Sequence, residues 1–171
     1  MAMKLLAPTS DLVRLARELQ VADPLPAHRN PARLYLATLA QSGQRSAESQ
    51  LRKVAASFGY QGDDAIDCMP WQLLRAEHLQ TLLNALRDAV IESPAPRSGE
   101  AIRQRTYSPA SINLIRDLVR GVAGQAFDLR LLAADEFERI KRVPRVRGSR
   151  LLAGSIKRST KPRGAAGRSW T

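Results

Sequence analysis

The stretch SPASINLIRDLVRGVAGQAF, residues 108–127, decides the fold. Its apolar residues recur every three or four positions, which is the spacing that lines up side chains along one side of an α-helix. Ser108 is a typical N-cap residue, and the proline that follows it suits the first helical turn. Gly121 and Gly124 lower the helix propensity, so we expect them to allow a close helix crossing. The stretch therefore predicts a long amphipathic helix.

Five further segments show the same spacing. We expect helices from Ser10 to before Asp23, from the Asn30 cap and Pro31 to Ala40, from Ser46 to Phe58, from Arg75 to Ile91 with Val90 buried, and from Asp135 to Arg142, where Asp135 and Glu138 resemble a capping box. The connections predicted between them are a break at 41–43, a polar loop at 61–70 and a loop at 92–106. No alternation of apolar and polar residues is long enough to predict a strand. The sequence thus predicts an all-α fold.

The charge is distributed unevenly along the 171 residues, whose net charge is +11. Residues 1–140 hold 17 basic and 16 acidic residues, whereas residues 141–171 hold 10 basic residues and no acidic one. We expect an N-terminal helix and linker at 1–29, a helical domain at 30–143, and a basic linker with a disordered tail at 144–171. Such a basic extension attracts a polyanion, and nucleic acid phosphates and anionic membranes are the two common candidates.

The residues that could support catalysis or metal binding are sparse. Cys68 is the only cysteine, and His28 and His78 lie in different segments without metal-ligand spacing around them. We expect Cys68 to be a small buried or half-buried side chain, His78 to lie at the solvent edge of its helix, and Asp63-Asp64 to belong to a turn. No phosphate-binding glycine loop, signal peptide or membrane span is apparent. The sequence predicts a cytoplasmic protein that is not an enzyme and has no cofactor or metal.

Two helices and the linker carry the candidate DNA contacts. The third and fifth predicted helices place basic and small polar residues away from their apolar stripes, and helix N-termini offer free N–H groups to phosphates. The candidate DNA-binding residues are Arg45, Ser46, Ser49, Arg52, Lys53, Arg105, Ser108, Ser111, Asn113, Arg116, Arg120, Arg145, Arg147 and Arg150. Double-stranded DNA is the expected partner.

An ordered set of these segments resembles the amino-terminal core-binding domain of the tyrosine recombinases, the phage integrase family. The set comprises Asn30-Pro31 through Leu39, 46–59, Trp71, His78 to Leu86, Tyr107 to Asn113 with Arg116 and 120–122, 135–140 and 146–151. The resemblance covers about Pro31 to Gly154. It implies a small orthogonal, SAM-like helical bundle that forms half of a clamp around a recombination site, with the third and fifth helices against the major groove.

The resemblance also assigns roles and marks a departure. It implies phosphate contacts for Arg45, Arg52, Lys53, Arg116 and Arg120, base contacts for Ser111 or Asn113, and association with other recombinase protomers. In the family a carboxy-terminal catalytic domain follows the linker, with a His-x-x-Arg motif and a tyrosine nucleophile. These residues contain no His-x-x-Arg, and the three tyrosines lie in the bundle.

We therefore expect a truncated integrase of a mobile element, which binds DNA but does not cleave it. The alternative is a helical protein–protein adaptor whose basic tail is incidental.

Overall fold

The computed structural model describes residues 10–94 and 102–147, which form a helical bundle with one small strand pair. The elements are α1 Ser10–Leu19, α2 Pro31–Thr38, α3 Gln41–Ser57, α4 Ala65–Cys68, α5 Ala76–Asp88, β1 Val90–Pro94, β2 Ile102–Thr106, α6 Pro109–Asp128 and α7 Ala134–Arg142. Short 3₁₀ turns cover Ala27–Arg29 and Trp71–Leu73. The predicted tail, residues 148–171, lies outside the described residues. The prediction of an all-α bundle is confirmed, since helical residues supply most of the core.

The central helix of the bundle is α6, which packs against α2, α3, α5 and α7. Its inner side buries apolar residues at helical spacing, and the same core takes in Trp71 and Phe58, two of the largest enclosed side chains. The indole Nε1 of Trp71 donates to the carbonyl of Ile66 at 2.7 Å, so its one polar atom is satisfied. From α1, Leu12 and Leu15 enter this core, which places α1 in the same bundle as the later helices.

Gly121 marks a close approach between α6 and α2. A Cβ atom at this position would collide with the ring of Tyr35. At Gly124 a Cβ would meet Phe137 of α7 only at ordinary contact distance, 3.9 Å from Cζ. The predicted close crossing is therefore confirmed at Gly121, where only a residue without a side chain lets α2 lie against α6.

The helix boundaries follow local caps where the sequence has them. Asn30 caps α2 by accepting from the backbone N–H groups of Ala32 and Arg33, and Ser108 caps α6 by accepting from Ser111. The predicted break at 41–43 is wrong, because α3 begins at Gln41 directly after the extended Ala40. A glycine in the first turn lowers helix propensity without forbidding the helix.

Two other predicted connections contain regular structure. The loop predicted at 61–70 includes α4, and the loop predicted at 92–106 falls on an antiparallel pair of β1 and β2, in which Ile91 lies opposite Arg105. Accordingly α5 ends at Asp88, and Val90 is 56% exposed rather than buried in its stripe. Neither strand has the apolar alternation by which a half-buried strand is recognised from sequence.

The start of α7 is stabilised differently from the prediction. Its N-cap is Ala133, which has no side-chain cap, so the predicted capping box of Asp135 and Glu138 is wrong. Instead, Glu136 of α7 accepts a hydrogen bond at 2.8 Å from the backbone N–H of Ala76, at the N-terminus of α5. A carboxylate from one helix thus satisfies a free donor at the start of another.

Among the described helices, none is both long and apolar enough to cross a membrane.

Candidate nucleic-acid interface

The exposed side of α3 carries the first group of candidate residues. The opposite side is fixed in the core by Ala47, Leu51, Val54 and Ala55. Because the helix repeats every 3.6 residues, the polar positions between these apolar ones turn outward. The structure accordingly leaves four of the five candidates exposed, namely Arg45, Ser46, Ser49 and Arg52, whereas Lys53 is half-buried. We call these five residues the α3 face.

The arginines of the α3 face differ in their partners. Arg52 lies 3.1 Å from the Glu48 carboxylate and 3.7 Å from that of Asp63. Arg52 and Asp63 are exposed and Glu48 is partly exposed, and ion pairs near the surface contribute only about 0 to 1 kcal/mol, so Arg52 is readily released to another anion. Among the described residues, no carboxylate lies within 4.0 Å of Arg45. The α3 face therefore offers available positive charge.

A salt bridge beside the α3 face holds neighbouring helices in place. Arg33 of α2 binds Asp67 of α4 through two parallel contacts, Nε to Oδ1 at 2.7 Å and Nη2 to Oδ2 at 2.6 Å. It also reaches Glu48 of α3 at 3.4 Å. The guanidinium lowers the pKa of Asp67 and the carboxylate raises the pKa of Arg33, in each case through the hydrogen bond first. This pair connects three helices on the side where α3 displays its cations.

The candidates at the start of α6 are partly engaged in capping. The Ser108 hydroxyl accepts from the Ser111 N–H at 3.1 Å, and the two hydroxyl oxygens are 2.9 Å apart. Both serines are exposed. Arg105 pairs through its backbone with β1, while its side chain and the whole of Arg150 lie outside the described residues.

Asn113 does not face solvent as an outward base-contacting residue would. Its Nδ2 donates to the carbonyl of Val146 at 3.0 Å, and its Oδ1 accepts from the N–H of the same residue at 2.9 Å. The side-chain amide thus matches both polar groups of one extended residue. The prediction of Asn113 on an open face is wrong, because residues 143–147, which we call the strap, lie across α6 there.

Arg116 is also removed from solvent, so its predicted outward position is wrong. Its side chain is 7% exposed. The Nε atom donates to the carbonyl of Val143 at 2.7 Å, and Nη1 donates to Asp117 at 2.6 Å. A buried guanidinium requires such partners, because burying an unpaired charge is costly. Arg116 is therefore a structural residue that holds the strap on α6.

Asp117 gathers a cluster of arginines at the edge of the strap. Besides its contact with Arg116, Oδ2 accepts from Nη2 of Arg145 at 2.9 Å, and Oδ1 lies 3.7 Å from Nη1 of Arg120. The side chains of Arg145, Asp117 and Arg120 are 66%, 41% and 31% exposed. We call these four residues the Asp117 cluster. It combines one carboxylate with a buried guanidinium group and two guanidinium groups nearer the surface.

Sequence reasoning missed Asp117, although the signal was present. Asp117 precedes Arg120 by three residues on a predicted helix, which is a spacing at which opposite charges interact. Its contact with Arg145 joins α6 to the strap, and helical spacing gives no sign of that contact. The last strap candidate, Arg147, is exposed and has no carboxylate within 4.0 Å among the described residues.

The groups that could act as nucleophiles are held in their protonated forms. Burial raises the pKa of Tyr35, Tyr60 and Tyr107, with the Asp117 charge adding to the effect at Tyr35 and Cys68 at Tyr60. Cys68 is half-buried as predicted, and burial followed by its 3.4 Å contact with Asp64 raises the pKa of the thiol. A phenol or thiol that resists ionisation is a poor nucleophile unless a base activates it.

His78 is buried, so its predicted position at the solvent edge is wrong. The residue is 2% exposed, and its ring meets Phe58 edge-on with the centroids 6.0 Å apart. Nδ1 accepts from the backbone N–H of Arg75 at 3.2 Å, which puts the ring proton on Nε2. Burial lowers the pKa of His78, and within the described residues no group of three or more potential ligands could hold a metal ion.

Comparisons with known protein families, curated proteins and solved structures gave no match to this chain. The functional interpretation therefore rests on the contacts, charges and burial of the described side chains.

Proposed function

We propose that this chain binds double-stranded DNA as the amino-terminal DNA-binding part of a site-specific tyrosine recombinase, and acts in DNA integration and recombination without cleaving the strand itself. The observation that supports DNA binding is the α3 face. It joins exposed arginines to exposed serine hydroxyls on a helix that the core holds rigid. Arginine and serine side chains supply many of the phosphate contacts in protein–DNA complexes.

The dimensions of the α3 face suit a duplex. Arg45 and Arg52 are seven residues apart, which is about 10 Å along a helix axis. This separation is comparable to the roughly 12 Å width of the major groove, so the two guanidinium groups can reach phosphates on either side of it. Ser46 and Ser49 lie between them and can donate to phosphate or base edges.

Positive charge elsewhere in the chain adds affinity that does not depend on the DNA sequence. The excess of basic residues from Lys141 onward begins in α7 and continues through the strap, where Arg145 and Arg147 are exposed. Lysine and arginine near a duplex release condensed counterions, and this makes binding strongly salt-dependent. The assignment to recombination is supported by the resemblance over about Pro31 to Gly154, and the expectation of no cleavage by the lack of a His-x-x-Arg motif among these residues.

Duplex binding at two salt concentrations tests the proposal. If about four phosphates are contacted, the affinity falls about 600-fold between 0.05 M and 0.3 M salt. Fluorescence anisotropy with a labelled duplex measures this change. Absence of binding at 0.05 M salt by a folded protein would reject DNA binding and favour the adaptor function.

A pair of charge reversals tests the α3 face. Arg45→Glu with Arg52→Glu reverses two exposed cations of this face, and we expect at least a 100-fold loss of affinity at low salt, since two phosphate contacts become repulsive. The matched control is Arg14→Glu with Arg87→Glu, which makes the same change of charge at exposed positions on α1 and α5. Equal losses in the two double variants would show that net charge, and not the α3 face, determines binding.

A suicide duplex substrate tests the absence of cleavage. We expect no covalent protein–DNA adduct on a denaturing gel. An adduct that disappears when one tyrosine is replaced by phenylalanine would overturn this part of the proposal.

A further inference from the structure

The Asp117 cluster holds more positive charge than its carboxylate can balance. Three guanidinium groups approach one carboxylate, through Arg116 at 2.6 Å, Arg145 at 2.9 Å and Arg120 at 3.7 Å. The cluster therefore has an excess of two positive charges. No second acidic residue lies within 4.0 Å of these arginines among the described residues.

Most of the hydrogen-bond donors in the cluster are unused. Each guanidinium has five N–H donors. Arg116 uses Nε for Val143 and Nη1 for Asp117, and Arg145 uses one donor for Asp117. Arg120 makes no side-chain hydrogen bond to the described residues, and its Nε is enclosed without an acceptor. The two arginines nearest the solvent thus retain donors that an oxyanion can accept from.

We propose that Arg120 and Arg145 form a binding site for a backbone phosphate of duplex DNA, and that Asp117 is an internal counterion competing with that phosphate. This inference rests on the proposed function. In the free protein Asp117 holds Arg145 against α6. On binding, Arg145 turns from the carboxylate to the phosphate, while Asn113 and Arg116 keep the strap on α6.

The exposure of each contact explains why the exchange is feasible. The contact between Arg145 and Asp117 joins a well-exposed group to a partly exposed one, and such pairs near the surface contribute little to stability. The contact with Arg116 is shielded from solvent, so the carboxylate stays in place when Arg145 leaves. Arginine binds phosphate through planar, charge-assisted pairs of hydrogen bonds, which compete well with a single carboxylate contact.

The buried side of the cluster explains why the counterion is present. Without Asp117 the buried guanidinium of Arg116 would have no charged partner among the described residues, which is a costly arrangement. The carboxylate is thus needed by the fold, and its negative charge weakens the attraction of the neighbouring cations for phosphate.

Asp117→Asn tests the proposal, with Asp128→Asn as the matched control. Both substitutions remove one negative charge from α6, but Asp128 is exposed and has no hydrogen-bond or ion-pair partner among the described residues. We expect Asp117→Asn to strengthen duplex binding about five- to tenfold at 0.05 M salt and to steepen the salt dependence by about one phosphate contact. The control should change affinity less than twofold.

Arg145→Ala tests whether the gain in DNA affinity caused by Asp117→Asn depends on Arg145. In the Asp117→Asn background it should remove most of the gain, because the freed guanidinium is then missing, and this non-additivity is the signature of coupled residues. Equal gains from Asp117→Asn and Asp128→Asn, or a gain that survives Arg145→Ala, would overturn the inference while leaving DNA binding intact. If the wild type binds no duplex, the proposed function itself fails.

A measurement on the wild type covers the case in which Asp117→Asn does not fold. Inorganic phosphate should raise the Tm above its value in chloride of equal ionic strength, and Arg145→Ala should lose this rise. A phosphate effect that is absent, or unchanged in Arg145→Ala, would contradict the site.

Discussion

The outer sides of α3 and α6 carry similar sequences of arginine and small polar residues, but they differ in how far other parts of the chain cover them. Arg45 and Arg52 on α3 are exposed, whereas Arg116 and Asn113 on α6 hold the strap. The difference arises because the chain returns along α6 after α7 and presents backbone carbonyls to it. A polar helix face is therefore available to a partner only if no other segment of the chain covers it.

The largest expected effect is a difference in protein stability between arginine-to-alanine variants of the two helices. Arg116→Ala removes the donors to Val143 and leaves Asp117 without its shielded partner, so we expect a loss of about 3 kcal/mol or more in the free energy of unfolding. Arg45→Ala, on the open face, should change it by less than about 0.5 kcal/mol. Urea denaturation measures both. Similar small losses would mean that Arg116 is as free as Arg45.

Two glycine substitutions should have effects of opposite sign. Gly121→Ala forces a Cβ into the Tyr35 ring, and overpacking of this kind costs about 1 to 3 kcal/mol. Gly43→Ala on α3 meets nothing within 4 Å and improves helix propensity, so it should stabilise by about 0.5 to 1 kcal/mol. Thermal denaturation of the two variants checks the signs. Stabilisation by Gly121→Ala would show that α2 and α6 do not approach each other this closely.

The strap itself gives the third test. Asn113→Ala deletes both hydrogen bonds to Val146, and we expect a loss of about 1 to 2 kcal/mol together with faster hydrogen exchange at the Val146 amide. Ser49→Ala is the corresponding polar deletion on the α3 face and should leave stability unchanged within about 0.5 kcal/mol. An Asn113→Ala variant with unchanged exchange at Val146 would contradict the docking of the strap.

The sequence predicted those parts of the fold whose causes are local. The starts of α2 and α6 follow from Asn30-Pro31 and Ser108-Pro109, because a cap and a proline act within one turn. The α3 face followed from the spacing of Leu51 and Val54, since burial of one side of a helix fixes what the other side displays.

The rest depends on contacts between distant parts of the chain. Asn113 and Arg116 bind backbone groups 27 to 33 residues away. Every residue has a backbone carbonyl, so the sequence does not indicate which one a distant side chain will bind. The strands β1 and β2 were not predicted, because their residues do not alternate between apolar and polar. The burial of His78 was recognisable in part, because it lies four residues before Leu82 of the predicted stripe.

The smallest effect concerns the salt bridge between Arg33 and Asp67, beside the α3 face, and depends on pH. Arg33 lowers the pKa of Asp67 in the folded protein, so the pair stabilises the fold above the unfolded pKa of about 4 and is lost as the pH falls through the folded pKa. Wild type should therefore exceed Asp67→Asn in unfolding free energy by less than about 1 kcal/mol at pH 6, because the pair is partly exposed.

This difference should shrink as the pH falls below about 4, because the carboxyl then takes up a proton in the unfolded chain that the folded protein, with its lowered pKa, resists. Urea denaturation of both proteins at several pH values measures the convergence, and Arg33→Gln should give the same trend. A difference that stays constant from pH 6 to 3 would mean that the side chain of Asp67 stabilises the bundle without its charge. The α3 face would then be held by apolar packing alone, as α6 is held to α2 at Gly121.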